Sequence, residues 1–319
     1  SLRLQAVSTR DSQGMTVLHH AASSDKSFET IKMILALYPE PERVGAVSRQ
    51  DTAGMTVLHH AASTGCLESI QLILSIHPES ERIAALCKPD EKGRTALHYA
   101  ADSYNTTSVQ FLLTQLPESH RLQVVSMQDR DGDTALHLAA NSCANLRVIL
   151  DSLAESERSP VFVICNVKNE TALHYVAKLG YSESLPAVLE LIPESERLQF
   201  MCLQDNEGLT PLHKCIFTNS CDLKIVKALL GWIPAPQRLQ VVSVQDRHGG
   251  TALHRAARSN HNEVFQEILK LLPESERLQA VMIRNGNNET ALHYAARSGN
   301  MKLIQLIGAL AGSVDLVLE

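Results

Sequence analysis

Eight of the fourteen histidines in this chain close one four-residue phrase, Thr-x-Leu-His: His19, His59, His98, His137, His174, His213, His254 and His293. A row of imidazoles could in principle hold metal ions or relay protons. The phrase begins at Thr16, Thr56, Thr95, Thr134, Thr171, Thr210, Thr251 and Thr290, with 37 to 41 residues from one copy to the next. Like positions on packed helices lie about 8–10 Å apart, whereas every ligand of a zinc ion must come within about 2.1 Å of it. Neighbouring copies therefore cannot share an ion, and the spacing makes the eight histidines structural, each bonding the turn of its own or a neighbouring repeat. His19 with His20, and His59 with His60, are adjacent in a helix and point in different directions, which suits no metal pair.

Other reactive residues lead no further. Cys66, Cys87, Cys143, Cys165, Cys202, Cys215 and Cys221 form no CxxC pair and fall at differing places in the period, the pattern of reduced thiols in a cytosol rather than of a disulfide frame or a zinc site. Cys215 stands two residues from His213, but it takes an alanine place in the repeat and reads as core packing. The run from Asp129 to Asp133 resembles a calcium loop, yet its glycine comes too early and no glutamate closes it. G-x-S-x-G, phosphate-binding glycine loops and H-E-x-x-H are absent. No catalytic residue, cofactor or metal is expected. A formal net charge of −6 argues against a general phosphate-binding surface, and no apolar run approaches the roughly 18 residues that a membrane span needs.

The elements that position the phrase can be read from a second mark. Arg3, Arg43, Arg82, Arg121, Arg158, Arg197, Arg238 and Arg277 each precede a motif threonine by 13 residues, while the stretch from threonine to the next arginine varies from 24 to 28. The constant half is the stacking element, and the variable half contains a surface turn that tolerates change. Within the constant half stand Asp11, Asp51, Asp90, Asp129, Asn166, Asp205, Asp246 and Asn285, and three residues on comes a Gly or, at 169 and 288, an Asn. Gly and Asn enter left-handed backbone space most cheaply, and an Asx side chain bonds back to the backbone, so the phrase is a tight turn whose threonine N-caps a helix. That helix is short and slim, with alanine pairs such as Ala100 and Ala101; a second carries aliphatic pairs such as Ile73 and Leu74 and ends near a proline. Pro-Glu-Ser-Glu-Arg-Leu-Gln then places Pro at a first helical position with Glu near the positive end of the helix dipole, which predicts a short third helix with Leu278 and Val281 on one face.

The phrase Asp-x-x-Gly-x-Thr-x-Leu-His-x-Ala-Ala, as from Asp129 to Ala140, resembles the ankyrin repeat, and eight copies in phase cover nearly the whole chain. The family's period is about 33 residues; the excess here falls in the Pro-Glu-Ser-Glu-Arg segment, an insertion similar to those in effectors of intracellular bacteria, which would place the protein in a host cytosol. The resemblance implies an all-α, ankyrin-type α-solenoid of about eight repeats over residues 1–319, each with a turn finger, a helix–turn–helix and a short third helix. It also implies a monomeric protein–protein interaction scaffold in the cytoplasm, binding another protein on a concave face of fingers and first helices. Because Ser1 enters in mid-repeat and residues 310 to 318 offer no polar cap, the chain is expected to be a piece of a longer protein. A regulatory or substrate-recruiting module of a larger enzyme is the alternative; an enzyme with a Cys/His centre and a nucleic-acid binder rank below it.

Partner contacts in the family come from fingertips, from the residue after the turn glycine and from the end of the first helix. Carried over, those places are uncharged in repeats one and two, mixed and locally acidic in three and four, and basic in seven and eight. The candidate contacts are Lys178, Leu179, Leu209 and Phe217, where repeat six breaks the pattern with Cys215-Ile216, and Arg247, Arg255, Arg258 and Arg297 at the basic end, suited to an acidic segment of a partner. Tyr99, Tyr175 and Tyr294 share one helical place and are expected to pack between repeats.

Overall fold

A computed structural model describes residues 2–24, 27–179, 185–217 and 222–315, and all regular structure among them is helical. The chain divides into two compact units, Ser1–Val167 and Lys168–Glu319. In the first unit, Leu2–Ser8 precedes three triplets of helices: Val17–Ala22, Ser27–Leu35 and Glu40–Val47; Val57–Thr64, Leu67–Ile76 and Glu79–Cys87; Ala96–Asp102, Thr106–Thr114 and Glu118–Val125. A fourth follows as Ala135–Leu138 with a 3-10 turn Ala139–Asn141, then Cys143–Asp151 and Glu155–Phe162. The second unit holds Ala172–Leu179, Leu185–Leu189 and Glu194–Cys202; Pro211–Phe217, Leu223–Gly231 and Arg238–Val242; Ala252–Arg258, Asn262–Leu271 and Glu274–Met282; and last Ala291–Arg297 with Met301–Asp315. Each unit is built of repeated helices, and the short third helix that the sequence predicts is present in repeats one to seven.

Each element has a local cause. Asp51 Oδ1 accepts the N–H groups of Ala53 and Met55 at 2.9 Å, and Gly54 completes the turn at φ 74°. Asn169 and Asn288 do the same at φ 59° and 63°, as Asn tolerates left-handed backbone. The motif threonine is the N-cap of the first helix, extended at ψ near 170°. The prolines Pro78, Pro117 and Pro273 are the N-caps of the third helices, one position outside the place the sequence predicts, so a glutamate is the first helical residue and its charge still meets the positive end of the dipole. In the third helix of repeat seven Val281 is buried and Leu278 half-buried.

Stacking explains the constant marks. In repeats one to four and seven the motif leucine and the alanine pair are buried, as Leu97, Ala100 and Ala101 are. The marker arginine crosses to the neighbour: Arg238 donates from Nε to Ile233 O at 3.0 Å, at the end of its own second helix, and from Nη1 to Leu271 O at 2.9 Å, at the end of the next. Arg121 makes the same pair of bonds to Leu116 and Ser152. Those bonds satisfy carbonyls that a helix C-terminus leaves open. Fingers are joined by one backbone bond each, such as Glu91 N–H to Ala53 O and Arg247 N–H to Glu207 O. Leu292 of repeat eight is 38% exposed where Leu253 of repeat seven is fully buried.

Candidate binding surface

The motif histidine is consumed by the stack. The backbone N–H of Thr95 donates to His98 Nδ1 at 3.1 Å, which leaves that nitrogen unprotonated; Nε2–H then donates to Met127 O at 3.1 Å and Asp133 O at 3.2 Å in the approach to the next finger. His59 donates likewise to Lys88 O and Arg94 O, His174 to Leu209 O, His213 to Gly250 O and His254 to Glu289 O. Both the own-turn and the neighbour-turn bonds expected from sequence are therefore made by one ring. Burial pushes the imidazole pKa values of His19, His98, His174 and His254 down, and those of His59 and His213 to about 4, even though the carbonyls and nearby carboxylates favour the charged form. Among the described residues, no three His, Cys, Asp or Glu side chains gather so as to hold a metal ion.

The second oxygen of each finger aspartate is claimed by the side chain nine residues on, in the first helix. His60 Nε2 reaches Asp51 at 2.9 Å, Tyr99 OH donates to Asp90 at 2.6 Å, Lys214 Nζ lies 2.6 Å from Asp205 and Arg255 Nη2 lies 2.9 Å from Asp246. In repeat four that place is Leu138, which has no donor, and Arg94 of the preceding finger supplies one to Asp129 at 2.9 Å. Tyr99 and Tyr294 at this place also pack edge-on against the histidine of the repeat before: the His59 and Tyr99 rings are 5.8 Å apart, as are those of His254 and Tyr294. Burial pushes the Asp246 carboxyl up, but Arg255 and the N–H groups of Gly250 and His248 hold it below the usual carboxylate range.

These contacts correct part of the sequence reading. In repeats three, four and five the residue after the turn glycine bonds to the next repeat: Arg94 to Asp129, Asp133 to Asn166 Nδ2 at 2.8 Å and Glu170 to Lys214. Leu209, expected to be an exposed contact, is only 5% exposed. Arg255 is half-buried and serves Asp246. Phe217 lies outside the described side chains, and so does Cys221 of the same segment; Cys215 and Ile216 are buried, so repeat six is repacked around larger side chains. Lys178 and Leu179 are exposed, Leu179 at 46%.

The basic end does converge. Arg247, Arg255 and Arg258 line one open groove of about 800 Å³ along the fingers and first helices of repeats seven and eight. Arg258 and Arg297 line a smaller one of about 380 Å³ beside it, with Tyr294 and Glu289. Three of the four arginines are neutralised at home: Arg247 by Glu207 at 2.5 Å, Arg255 by Asp246 and Arg297 by Glu289. Arg297 also lies over the Tyr294 ring, 5.5 Å from its centre. Among the described residues no carboxylate pairs with Arg258, which is exposed. Sequence reasoning missed the parts of the groove that carry no charge, Gly250, Gly286 and Tyr294. The signal was present: at the place after the turn glycine every other repeat has a side chain, and Gly250 has none.

A family model described as ankyrin repeats (3 copies) matches residues 2–82, 81–159 and 223–315, more than half of the chain. Among solved structures, the chain is similar to the ankyrin repeat domain of Bcl-3, described as a unique member of the IkappaB protein family. That likeness has a TM-score of 0.55 and 24% identity over 76% of this chain and 94% of that one, and it bears on fold alone. No curated protein matches.

Proposed function

Because this chain belongs to the ankyrin-repeat family, whose repeats serve as protein-interaction modules, we propose that it is a non-catalytic scaffold whose partner docks on the fingertips and first-helix ends of repeats seven and eight. What supports the reading is the fate of the recurring polar residues. The finger aspartates, motif histidines and marker arginines that could do chemistry are bonded within the stack. Fingertips and first-helix ends are left exposed, and these differ from repeat to repeat: Ser63, Asp102, Lys178, Arg258 and Arg297 occupy one such place. A surface that varies on a constant frame supports specific recognition. The charge at the seventh and eighth repeats favours a partner with an acidic segment, met in a cytosolic setting that suits the free thiols.

The test is affinity capture from a eukaryotic lysate with mass-spectrometric identification, repeated with Arg258→Glu plus Arg297→Glu. The double reversal should reduce capture about tenfold or more while circular dichroism and the melting midpoint stay near those of the parent. Arg130→Glu, on an exposed fingertip of the first unit, should capture normally. Undiminished capture by the double variant would remove the seventh and eighth repeats as the docking site.

A further inference from the structure

The larger groove exists because two side chains are missing. At the place after the turn glycine, repeats one, two and six carry Met15, Met55 and Leu209, and repeats three, four, five and eight carry Arg94, Asp133, Glu170 and Glu289; repeat seven has Gly250. At the place after the finger Asx, seven repeats carry Ser12, Thr52, Glu91, Arg130, Val167, Asn206 and Arg247; repeat eight has Gly286. Both glycines line the groove. Gly286 also lets the two fingers close on each other, since a Cβ there would stand 2.9 Å from His248 O, where its own N–H is bonded. Leu209 shows that an apolar side chain at the equivalent place is buried. Arg258 projects at one margin, and the remaining cations of the groove wall are already paired.

We propose that this groove is a slot for an extended peptide segment of the partner, with a carboxylate of that segment completing the ion pair that Arg258 lacks. The proposal rests on the protein-binding reading above and adds where the segment lies and which group it must carry. Charge complementarity selects the occupant. The wall offers guanidinium and amide donors, and its one carboxylate, Asp246, is held by Arg255. A volume of about 800 Å³ suits several residues of main chain, more than a lone ion would need. A planar guanidinium pairs with a carboxylate through two parallel bonds, which fixes its direction as well as its charge.

The test selects a displayed library of random dodecapeptides on the full chain, then measures binding of the selected peptides by fluorescence anisotropy. The expected result is enrichment of Asp or Glu at one position. Affinity should fall at least about tenfold in Arg258→Glu and in Gly250→Met, and part of it should be retained in Arg258→Lys. Gly250→Met installs the residue that sibling repeats carry, and the nearest atom to its Cβ, Asp246 Oδ2, is 3.2 Å away. Should that variant unfold, the exposed Arg258→Glu still decides. Selected peptides without an acidic residue, or acidic ones that bind both variants as tightly as the parent, overturn the slot. If those variants also leave lysate capture intact while Arg297→Glu abolishes it, the binding reading survives without the slot; if no variant affects any capture, both fall.

Discussion

At the residue scale, the motif histidine shows how a reactive side chain is made inert. Its ring is neutral in the fold because one nitrogen accepts a backbone N–H and the other donates to a carbonyl, and burial opposes a charge. In the unfolded chain the same imidazole titrates near 6.5. The unfolded state therefore binds more protons below that pH, and stability is full above about 6.5 and is lost as pH falls towards 4, the value to which His59 and His213 are depressed. Urea midpoints at pH 7.5, 6.5, 5.5 and 4.5 should be flat over the first step and decline over the rest. A flat profile to pH 4.5 would mean that the rings are not buried neutral. The finger carboxylates Asp51, Asp205 and Asp246, held below their usual range despite burial, add a loss of the same sign at still lower pH. His98→Ala should cost about 2–4 kcal/mol, because it opens a cavity and strands a threonine N–H and two carbonyls. His293→Ala, at the exposed face of repeat eight, should cost well under half as much. Equal losses would show that the inter-repeat bond contributes nothing.

At the element scale, the finger is the part least tolerant of change. Gly54 has φ 74°, and a Cβ on it would stand 2.6 Å from the backbone nitrogen of Glu91 in the next finger; Gly299 has φ 65° with nothing within 4 Å. Both substitutions to alanine carry the left-handed strain of about 1 kcal/mol, but only Gly54→Ala also forces two fingers apart. Its loss in urea denaturation should exceed that of Gly299→Ala by about 1 kcal/mol or more. Similar losses would mean that the fingers part freely. The third helix behaves in the opposite way. Its Pro and Glu residues set its start by local chemistry alone, and Arg238 carries the coupling to the neighbour. In repeat four, where Ala154 replaces the proline, Glu157 returns a bond to the Ala154 N–H at 3.1 Å and keeps the start in place.

At the scale of the whole molecule, the distribution of charge decides where a partner can land. The formal charge of −6 gives no attraction to acidic surfaces by itself, so the proposed recognition of an acidic segment rests on local charge, that of Arg258 and its neighbours. Such attraction is screened by salt, with a Debye length of about 10 Å at 0.1 M and about 3 Å at 1 M. Capture of the partner should weaken several-fold at 1 M sodium chloride while helicity is unchanged. Capture that survives 1 M salt would move the contact to apolar positions such as the exposed Leu179. No described helix is long and apolar enough to cross a membrane.

The repeat, the turn, the capping threonine, the three helices and the structural role of the histidines were all legible in the chain, because each follows from a period or from the backbone preference of one residue type. The Asx at position 51 and the Gly at 54 need no neighbour to specify a turn. Which side of a repeat a polar residue serves was not legible, since that depends on what stands opposite it. Leu209, Arg255 and Arg94 look alike as exposed finger or helix-end residues until the fold is in place; then the first is buried, Arg255 is tied to Asp246 of its own finger and Arg94 to Asp129 of the next. The sequence marks the groove only by a missing side chain, and its shape belonged to the tertiary structure. It is made by side chains that Gly250 and Gly286 do not have, and an absence acquires a shape only when two fingers stand side by side.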